Sequence, residues 1–413
     1  MKTNPNFLKF FIVLLFISQS LINQGQNKTA KFPDWKEGEM EIHHINTGSG
    51  ESVFCLFPDG TNMLIDAGDL GTERDAVHTS TLPTDLKQPG EWIARYISRL
   101  LKYRNEKTID YALLTHFHSD HIGKVIPESQ KTKKGGDYYL TGMTEVAEYV
   151  PFKKLIDRDW PDYQFPSPMA GRKDFDNYKN FVDWNILNSE LKMETFMPGD
   201  NSQIELLYNA EKYPGFVIQN IYANGKLWTG ENNETKNIIP ENVKPDENRI
   251  CAALKISYGK FDYFNGGDIT GRISIKGDKW RDIETPLSKV LGPVEVCEAN
   301  HHAYVDAMNE TFIANTTPQV FVLQVWNARH TNLTTLRAMT STELYPDKRL
   351  VLATNVHEFA KNYLGKNMNK IDGYGGHVVI KVKPGGDEYT IYLLSAEDES
   401  MKIKSVFGPI KCK

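Results

Sequence analysis

The stretch "LLTHFHSDHIGK", Leu113–Lys124, places three histidines and one aspartate within six positions of a chain that has 11 histidines in 413 residues. The preceding "IDYALLTH" is an apolar run typical of a buried strand that ends at His116. His116 and His118, two residues apart on an extended chain, project to the same side, and Asp120 and His121 stand where a helix can begin. The four side chains can therefore converge on one or two metal ions.

The ligand types in this stretch limit the metals that it can bind. Imidazole and carboxylate without thiolate suit zinc, with iron and manganese as alternatives. The other interpretation is a polar loop without a metal, but a chance His-x-His-x-Asp-His is expected in only about one such chain in a thousand. We therefore expect a metal site here.

The surrounding sequence alternates strand-like and helix-like segments. "EIHHINTG", "ESVFCLFP" and "NMLIDAG" predict three consecutive strands separated by turns. "GEWIARYISRLLKYR" (Gly90–Arg104) has apolar residues at helical spacing. Strands that feed helices and then further strands predict a layered α/β domain.

Two of these segments resemble motifs of a known superfamily. "THFHSDHIG" resembles the signature of the metallo-β-lactamase superfamily, and "NMLIDAG" resembles its first motif. The resemblance implies a four-layer αββα sandwich, in which Asp66 supports the metal-binding loop from outside the ligand set. We predict a single domain over residues 36–403, with an inserted lid region at about 157–245.

Later segments extend the resemblance over most of the chain. "ENRICAALKISYGKFDYFNGGDIT" resembles two strands that end in the Gly-Asp motif, which implies that Asp268 bridges two ions. "VCEANHHAYVDA" and "VFVLQVWNARHTNLTTLRAM" resemble histidine motifs of one branch, which includes a domain of DNA-uptake channel proteins and the secreted phosphorylcholine esterases. In that branch Gly-Ser usually follows the His-His pair, whereas Ala303 and Tyr304 stand here, so the substrate of the branch does not transfer directly.

The resemblance also implies a ligand set for two divalent ions. No histidine lies between His121 and His301, so we expect the first ion on His116, His118 and Asp268. The second ion would use Asp120, His121, Asp268 and His330, although His330 at the end of a strand could also be a surface residue. His301 and His302 remain open between metal ligands and an acid that faces the substrate. The remaining histidines are interpreted as structural: His43, His44, His78, His357 and His377.

Such a site implies hydrolysis. Two ions close together lower the pKa of a bridging water from about 15.7 toward about 7, which supplies hydroxide, and Asp120 can orient it. His301 or His302 can protonate the leaving group. We expect phosphoester hydrolysis, with hydrolysis of a carboxylic ester, lactone, amide or sulfate as the alternative. A non-catalytic binding protein fits the intact ligand set poorly. A diiron redox protein is disfavoured because the family it would resemble needs Glu where His118 and Ser119 stand.

The N-terminus and the charge indicate where the protein acts. Lys2 and Lys9 precede a short apolar run, Phe10–Ile17, which predicts a signal peptide over residues 1–26 and a secreted or periplasmic protein, with an uncleaved anchor as the alternative. The formal charge is −5 and no long basic run exists, so a nucleic-acid partner is not favoured. We expect a small-molecule or polymer-borne ester as substrate. The four cysteines show no metal-binding spacing.

The segment from Asp157 to Asn185 is rich in aromatic and acidic residues. These aromatic rings could stack on a sugar or base, or they could pack a lid against the core. The sequence leaves both interpretations open.

Overall fold

A computed structural model describes residues 30–71, 76–273 and 277–413. The predicted signal peptide at residues 1–26 lies outside these described residues. None of the helices described in the structure is long and apolar enough to cross a membrane.

The described residues form eighteen β-strands and eight α-helices. The strands are β1 (Met40–His44), β2 (Val53–Leu56), β3 (Asn62–Ile65), β4 (Ile109–Leu114), β5 (Phe152–Asp157), β6 (Lys192–Thr195), β7 (Phe216–Ala223), β8 (Lys226–Trp228), β9 (Thr235–Asn237), β10 (Ala253–Tyr258), β11 (Phe261–Asn265), β12 (Val296–Glu298), β13 (Val320–Leu323), β14 (Leu350–Ala353), β15 (Gly373–Tyr374), β16 (His377–Val382), β17 (Glu388–Leu394) and β18 (Ile403–Lys411). The helices are α1 (Pro89–Leu100), α2 (Ser119–Ile122), α3 (Gly142–Tyr149), α4 (Lys173–Asn188), α5 (Glu284–Leu291), α6 (Glu310–Thr316), α7 (Leu333–Met339) and α8 (Glu358–Leu364).

The strands form two nine-stranded sheets. The first has the order β18-β17-β16-β1-β2-β3-β4-β5-β6, and the second has the order β15-β14-β13-β12-β11-β10-β7-β8-β9. Strands β3 to β6 are parallel, as are β11 to β15. The carboxyl ends of the parallel strands open into loops, and these loops carry the histidines and aspartates predicted to bind metal.

Three apolar clusters separate four layers. One lies between the sheets and includes Ile65, Leu113, Leu254 and Val296. A second joins the first sheet to α1, α3 and α4, and a third joins the second sheet to α5, α6, α7 and α8. Each fully buried aliphatic side chain contributes about 1.5–3 kcal/mol. The predicted four-layer αββα sandwich is thus confirmed.

The segment predicted as an inserted lid region contributes to both sheets. Within residues 157–245, β6 extends the first sheet, and β7 to β9 extend the second. Tyr163, Phe175 and Tyr178 pack on Phe117, with ring centroids 5.8, 5.1 and 5.9 Å from its ring. These three rings therefore pack against the core, next to the metal-binding loop. At the other end, β18 runs to Lys411, past the predicted domain end at 403.

Candidate metal centre

The predicted ligands lie where parallel strands of both sheets end. His116 follows β4, and α2 begins at Ser119, one residue after His118. On the second sheet, Asp268 follows β11 and His302 follows β12. The two sheets therefore each supply half of one site.

A first group of side chains brings together His116, His118 and Asp268. The Nε2 atom of His116 lies 3.2 Å from Nδ1 of His118 and 3.7 Å from Oδ2 of Asp268. This is the set predicted for the first ion. His301 approaches it as well, with Nε2 3.8 Å from the same Asp268 oxygen.

A second group lies on the other oxygen of Asp268. Its Oδ1 atom is 3.4 Å from His121 Nε2 and 3.3 Å from His302 Nε2. Oδ2 of Asp120 is 3.7 Å from His121 Nε2 and 3.2 Å from His302 Nε2. Glu51 also reaches this group. Asp268 thus spans both groups, as expected for a bridging carboxylate.

The hydrogen-bond partner of Nδ1 in three of the histidine rings indicates that Nε2 is the nitrogen left to bind a metal ion. The Nδ1–H of His121 donates to Asp66 Oδ2 at 2.7 Å, and the Nδ1–H of His302 donates to the Gln324 carbonyl at 3.0 Å. The Nδ1–H of His116 donates to Thr115 Oγ1 at 3.1 Å, because that hydroxyl donates its own proton to Asp66. In a neutral imidazole the other nitrogen is then an acceptor.

Three acceptor nitrogens therefore face carboxylate oxygens across short gaps. Nε2 of His121 and Oδ1 of Asp268 are buried and make no hydrogen bond with the described residues. Buried nitrogen and carboxylate oxygen atoms that face each other in this way need a proton or a cation between them, since an unpaired buried polar group costs about 1–3 kcal/mol. The donor set fits divalent metal ions.

The pKa values reflect the same packing of charges. Burial favours neutral Asp120 and Asp268, but neighbouring histidines, including His121 and His302, hold the pKa of both carboxyl groups below the usual range. Burial lowers the pKa of His116, which favours the neutral ring that a metal requires.

The second half of the site lies on a strained turn. His301, His302 and Ala303 have φ values of 47°, 52° and 59°, and Met308 has a φ of 56°. A non-glycine residue in this left-handed region costs roughly 1–2 kcal/mol. The turn directs the His302 ring into the site, where 1% of its side chain is exposed. It leaves His301 at the rim, with 18% of its side chain exposed.

A buried carboxylate closes this strained loop. Oε1 of Glu284 accepts hydrogen bonds from Asn300 Nδ2 at 2.8 Å and from Met308 N at 2.6 Å. Its Oε2 accepts from Asn309 N at 2.7 Å. Glu284 thus ties the start of the loop to its end, and we assign it as a positioning residue for His301 and His302.

His301 is oriented by two polar neighbours. Its Nδ1 lies 2.7 Å from Asp306 Oδ1, and its Nε2 lies 3.1 Å from the side-chain amide of Asn248. Burial opposes protonation of the ring, but Asp268 and Asp306 outweigh it and raise the pKa of His301 to about 9. His301 therefore lies at the open edge of the two groups, with its Nδ1 atom held by Asp306.

Residues 47–154 match the family model of the metallo-beta-lactamase superfamily. This part of the chain, which carries the metal-binding loop, is therefore similar to the metallo-β-lactamase superfamily. Among solved structures, a similar chain is described as a new diphosphatase from the PhnP family. It is 12% identical over 69% of this chain and 85% of that chain, with a TM-score of 0.29. No curated protein matches at a significant level.

The family match supports a hydrolase with a metallo-β-lactamase-like region. The matched residues contain the loop from His116 to His121 and end well before Asp268. The likeness to one branch, based on the His301–His302 pair, therefore stays a prediction.

His330 occupies a different place from the one predicted for it. Its ring stacks on the His302 ring, with centroids 4.6 Å apart and an angle of 16° between the planes. Among the described residues, neither group of candidate ligands includes it. The position in the second group predicted for His330 is taken by His302, because the strained turn brings that ring between Asp120 and Asp268. Burial lowers the pKa of His330.

The metal-binding loop of the hydrolase is held by a buried ion pair. Glu247 Oε1 accepts a hydrogen bond from Phe117 N at 2.9 Å, between the two ligands His116 and His118. Arg158 pairs with both oxygens of Glu247, at 2.8 and 2.9 Å, and lies over the Phe117 ring. The residue after Glu247 is Asn248, so one short turn contacts the loop and His301 together.

The histidines interpreted as structural lie away from both groups. His43 is buried between Tyr96 and Glu41, and His44 contacts Tyr263. His377 accepts a hydrogen bond from Asn46 N at 3.0 Å. His357 caps α8, and the His78 ring packs on Trp326. Cys55, Cys251 and Cys297 are buried and unpaired, and Cys412 is unpaired too.

Sequence reasoning missed four acidic residues of the site: Glu51, Glu247, Glu284 and Asp306. Each of these residues is either distant in sequence from the motif that it supports or lies in a segment that the sequence predicts to be an exposed turn. Only Asp306, five residues after His301, carried a local signal.

Proposed function

We propose that this hydrolase acts on phosphoesters outside the cytoplasm with two divalent ions, zinc first. The observation that carries the proposal is the His301–Asp306 pair at the open edge of two complete groups of candidate ligands. A protonated imidazole beside two cations favours an anionic phosphoryl group and a leaving group that needs a proton.

We assign one ion to each group of candidate ligands. His116, His118 and Asp268 would hold the first ion, and Asp120, His121, Asp268 and His302 would hold the second. Two ions so bound would acidify the attacking water and offset negative charge on the phosphoryl oxygens.

The remaining steps belong to residues of this chain. Asp120 orients the water and accepts its proton, since its carboxylate lies on the edge of the second group. His301 donates the proton at Nε2 to the leaving oxygen. Asp306 orients the His301 ring. If the side-chain amide of Asn248 is rotated so that its oxygen and nitrogen exchange places, its oxygen can accept a hydrogen bond from His301 Nε2. The rotation leaves the shape of the Asn248 side chain unchanged.

Substrate and location complete the proposal. The substrate is a small or polymer-borne phosphoester, and nucleic acid is not favoured because the chain is acidic. The N-terminal apolar run supports export. Recovery of an intact Met1 peptide from a cytosolic fraction would contradict that part.

A substrate panel tests the function. We expect the chain without residues 1–26 to contain two divalent ions and to hydrolyse nitrophenyl phosphomonoesters or phosphodiesters faster than nitrophenyl acetate, a lactone or a nitrophenyl sulfate. Greater activity on any of the last three would replace the phosphoester proposal with its alternative. A folded, zinc-supplemented sample without metal would refute both.

A further inference from the structure

Glu51 lies in the turn between β1 and β2, against the metal-binding loop. Its N–H donates to the Asp120 carbonyl at 2.8 Å, and its own carbonyl accepts from Gly68 N at 2.8 Å. The turn fits tightly, because a Cβ at Gly50 or Gly68 would lie 2.2 or 2.0 Å from the Asp120 carbonyl oxygen. The backbone thus fixes the Glu51 side chain inside the site.

The Glu51 carboxylate faces the second ligand group without a partner. It is buried, and its Oε1 makes no hydrogen bond with any described residue. One of its oxygens lies within 4.8 Å of ligand atoms of His121, Asp268 and His302. A buried carboxylate oxygen without a donor requires a cation or a proton.

A role in orienting His302 does not explain this carboxylate. The Nδ1–H of His302 already donates to the Gln324 carbonyl at 3.0 Å, whereas Glu51 Oε2 is 3.7 Å from that nitrogen. The distance exceeds that of a hydrogen bond.

The neighbouring Glu298 shows what a structural glutamate looks like here. Its Oε2 accepts from Tyr263 at 2.6 Å and from Asn265, and its Oε1 accepts from Gln324 at 2.6 Å. Glu298 is fully satisfied by protein donors, whereas Glu51 is not.

We infer that Glu51 is a carboxylate ligand of the second ion, and that it gives this site a higher affinity than the first site for an oxygen-preferring ion such as Mn²⁺. The cluster that contains Glu51 has two carboxylates and two imidazoles, whereas the first group has one carboxylate and two imidazoles. Carboxylate oxygens suit manganese, and imidazoles suit zinc. The inference rests on the proposed function, and it adds that the two sites differ in their affinity for Mn²⁺.

Metal titration of the whole mature chain tests this inference. Metal-free protein is titrated with Zn²⁺ and Mn²⁺ by calorimetry, and bound Mn²⁺ is followed by electron paramagnetic resonance. In the wild type we expect zinc to bind at the first site, and we expect the second site to bind Mn²⁺ more tightly than the first site does. Glu51→Gln should weaken Mn²⁺ binding at the second site at least tenfold and leave the first zinc unchanged.

A matched control separates a ligand from any buried glutamate. Glu145 also has a buried oxygen without a partner, but it packs on α1 at Gly90. Glu145→Gln should therefore bind both metals as the wild type does. Glu51→Asp, which keeps the charge but withdraws it by one methylene, should bind Mn²⁺ with intermediate affinity and gives a second test if Glu51→Gln misfolds.

The outcomes distinguish the inference from the proposed function. Equal Mn²⁺ affinity in the wild type and Glu51→Gln, or a first site that binds Mn²⁺ as tightly as the second, overturns the role of Glu51 and leaves the hydrolase proposal intact. A wild-type protein that binds no metal overturns both.

Discussion

The two halves of the metal centre reach the same geometry by different means. The half on the first sheet, His116–His121, follows a strand directly into α2, and its non-glycine residues all have negative φ. The half on the second sheet, Asn300–Asn309, contains four non-glycine residues with positive φ. The first is set by local chain geometry, whereas the second depends on distant groups that hold it in a costly conformation.

The residue shared by both halves should give the largest effect. Asp268→Asn removes the charge that spans both ligand groups, so we expect loss of at least one ion and a fall in kcat/KM on the order of 10³-fold or more. Elemental analysis and steady-state kinetics measure the two effects. His357→Asn, a change at the cap of α8, is the control, and a metal-replete Asp268→Asn protein would contradict the bridging role.

His301 and His302 should separate by their metal content. His301→Ala should keep both ions and lose roughly 10²- to 10⁴-fold in rate, the usual range for a positioned general acid. The loss of rate should be smaller for substrates whose leaving group is nitrophenolate, because this group departs without a proton. His302→Ala should lose metal in step with activity. If His301→Ala also loses metal, His301 belongs to the ligand set instead.

Glu284 tests whether the strained half depends on its clamp. Glu284→Gln replaces one acceptor oxygen with an amide donor, so we expect roughly a tenfold loss of kcat, or about 1.4 kcal/mol, with KM and metal content little changed. The rate should also depend on the leaving group less strongly than in the wild type, in the direction of His301→Ala. An unchanged kcat would show that the loop keeps its conformation without the hydrogen bonds to Glu284.

The same variant should alter the pH dependence of stability. Burial raises the pKa of Glu284 to about 7. The unfolded chain therefore loses this proton at lower pH than the folded chain, and the contribution of Glu284 to stability falls as pH rises toward about 7. Relative to the wild type, Glu284→Gln should gain unfolding free energy between about pH 5 and pH 7. Denaturant titrations at several pH values measure this difference.

The smallest expected effect concerns Ala303, where the resembling branch has glycine. Its φ of 59° is strained for alanine, and glycine adopts it freely. Ala303→Gly should raise the free energy of unfolding by about 0.5–1 kcal/mol, after the greater chain entropy of glycine is subtracted. Chemical denaturation measures the change in the free energy of unfolding. A destabilised variant would show that packing of the alanine methyl group contributes more stability than the backbone strain removes.

The comparison also explains how much the sequence could predict. The layered fold, the first ligand group and the support of His121 by Asp66 follow from motifs whose residues lie near one another on a strand and a turn. The sequence predicts His330 for the second group and leaves His301 and His302 open between metal ligand and acid, because ordinary extended or helical geometry does not place His301 and His302 on opposite sides of a turn. The left-handed turn does so, and it depends on Glu284, which no local pattern connects to the histidines.

The close contact between His302 Nε2 and Asp120 Oδ2, at 3.2 Å, joins residues 182 positions apart in the chain. Closing so long a loop is slow, because the chain loses conformational entropy before the contact that compensates for this loss can form. During refolding, each sheet can therefore acquire its local hairpins and parallel pairs before the two halves of the centre meet. Recovery of activity should lag behind recovery of secondary structure, so that catalysis reports the last step of folding.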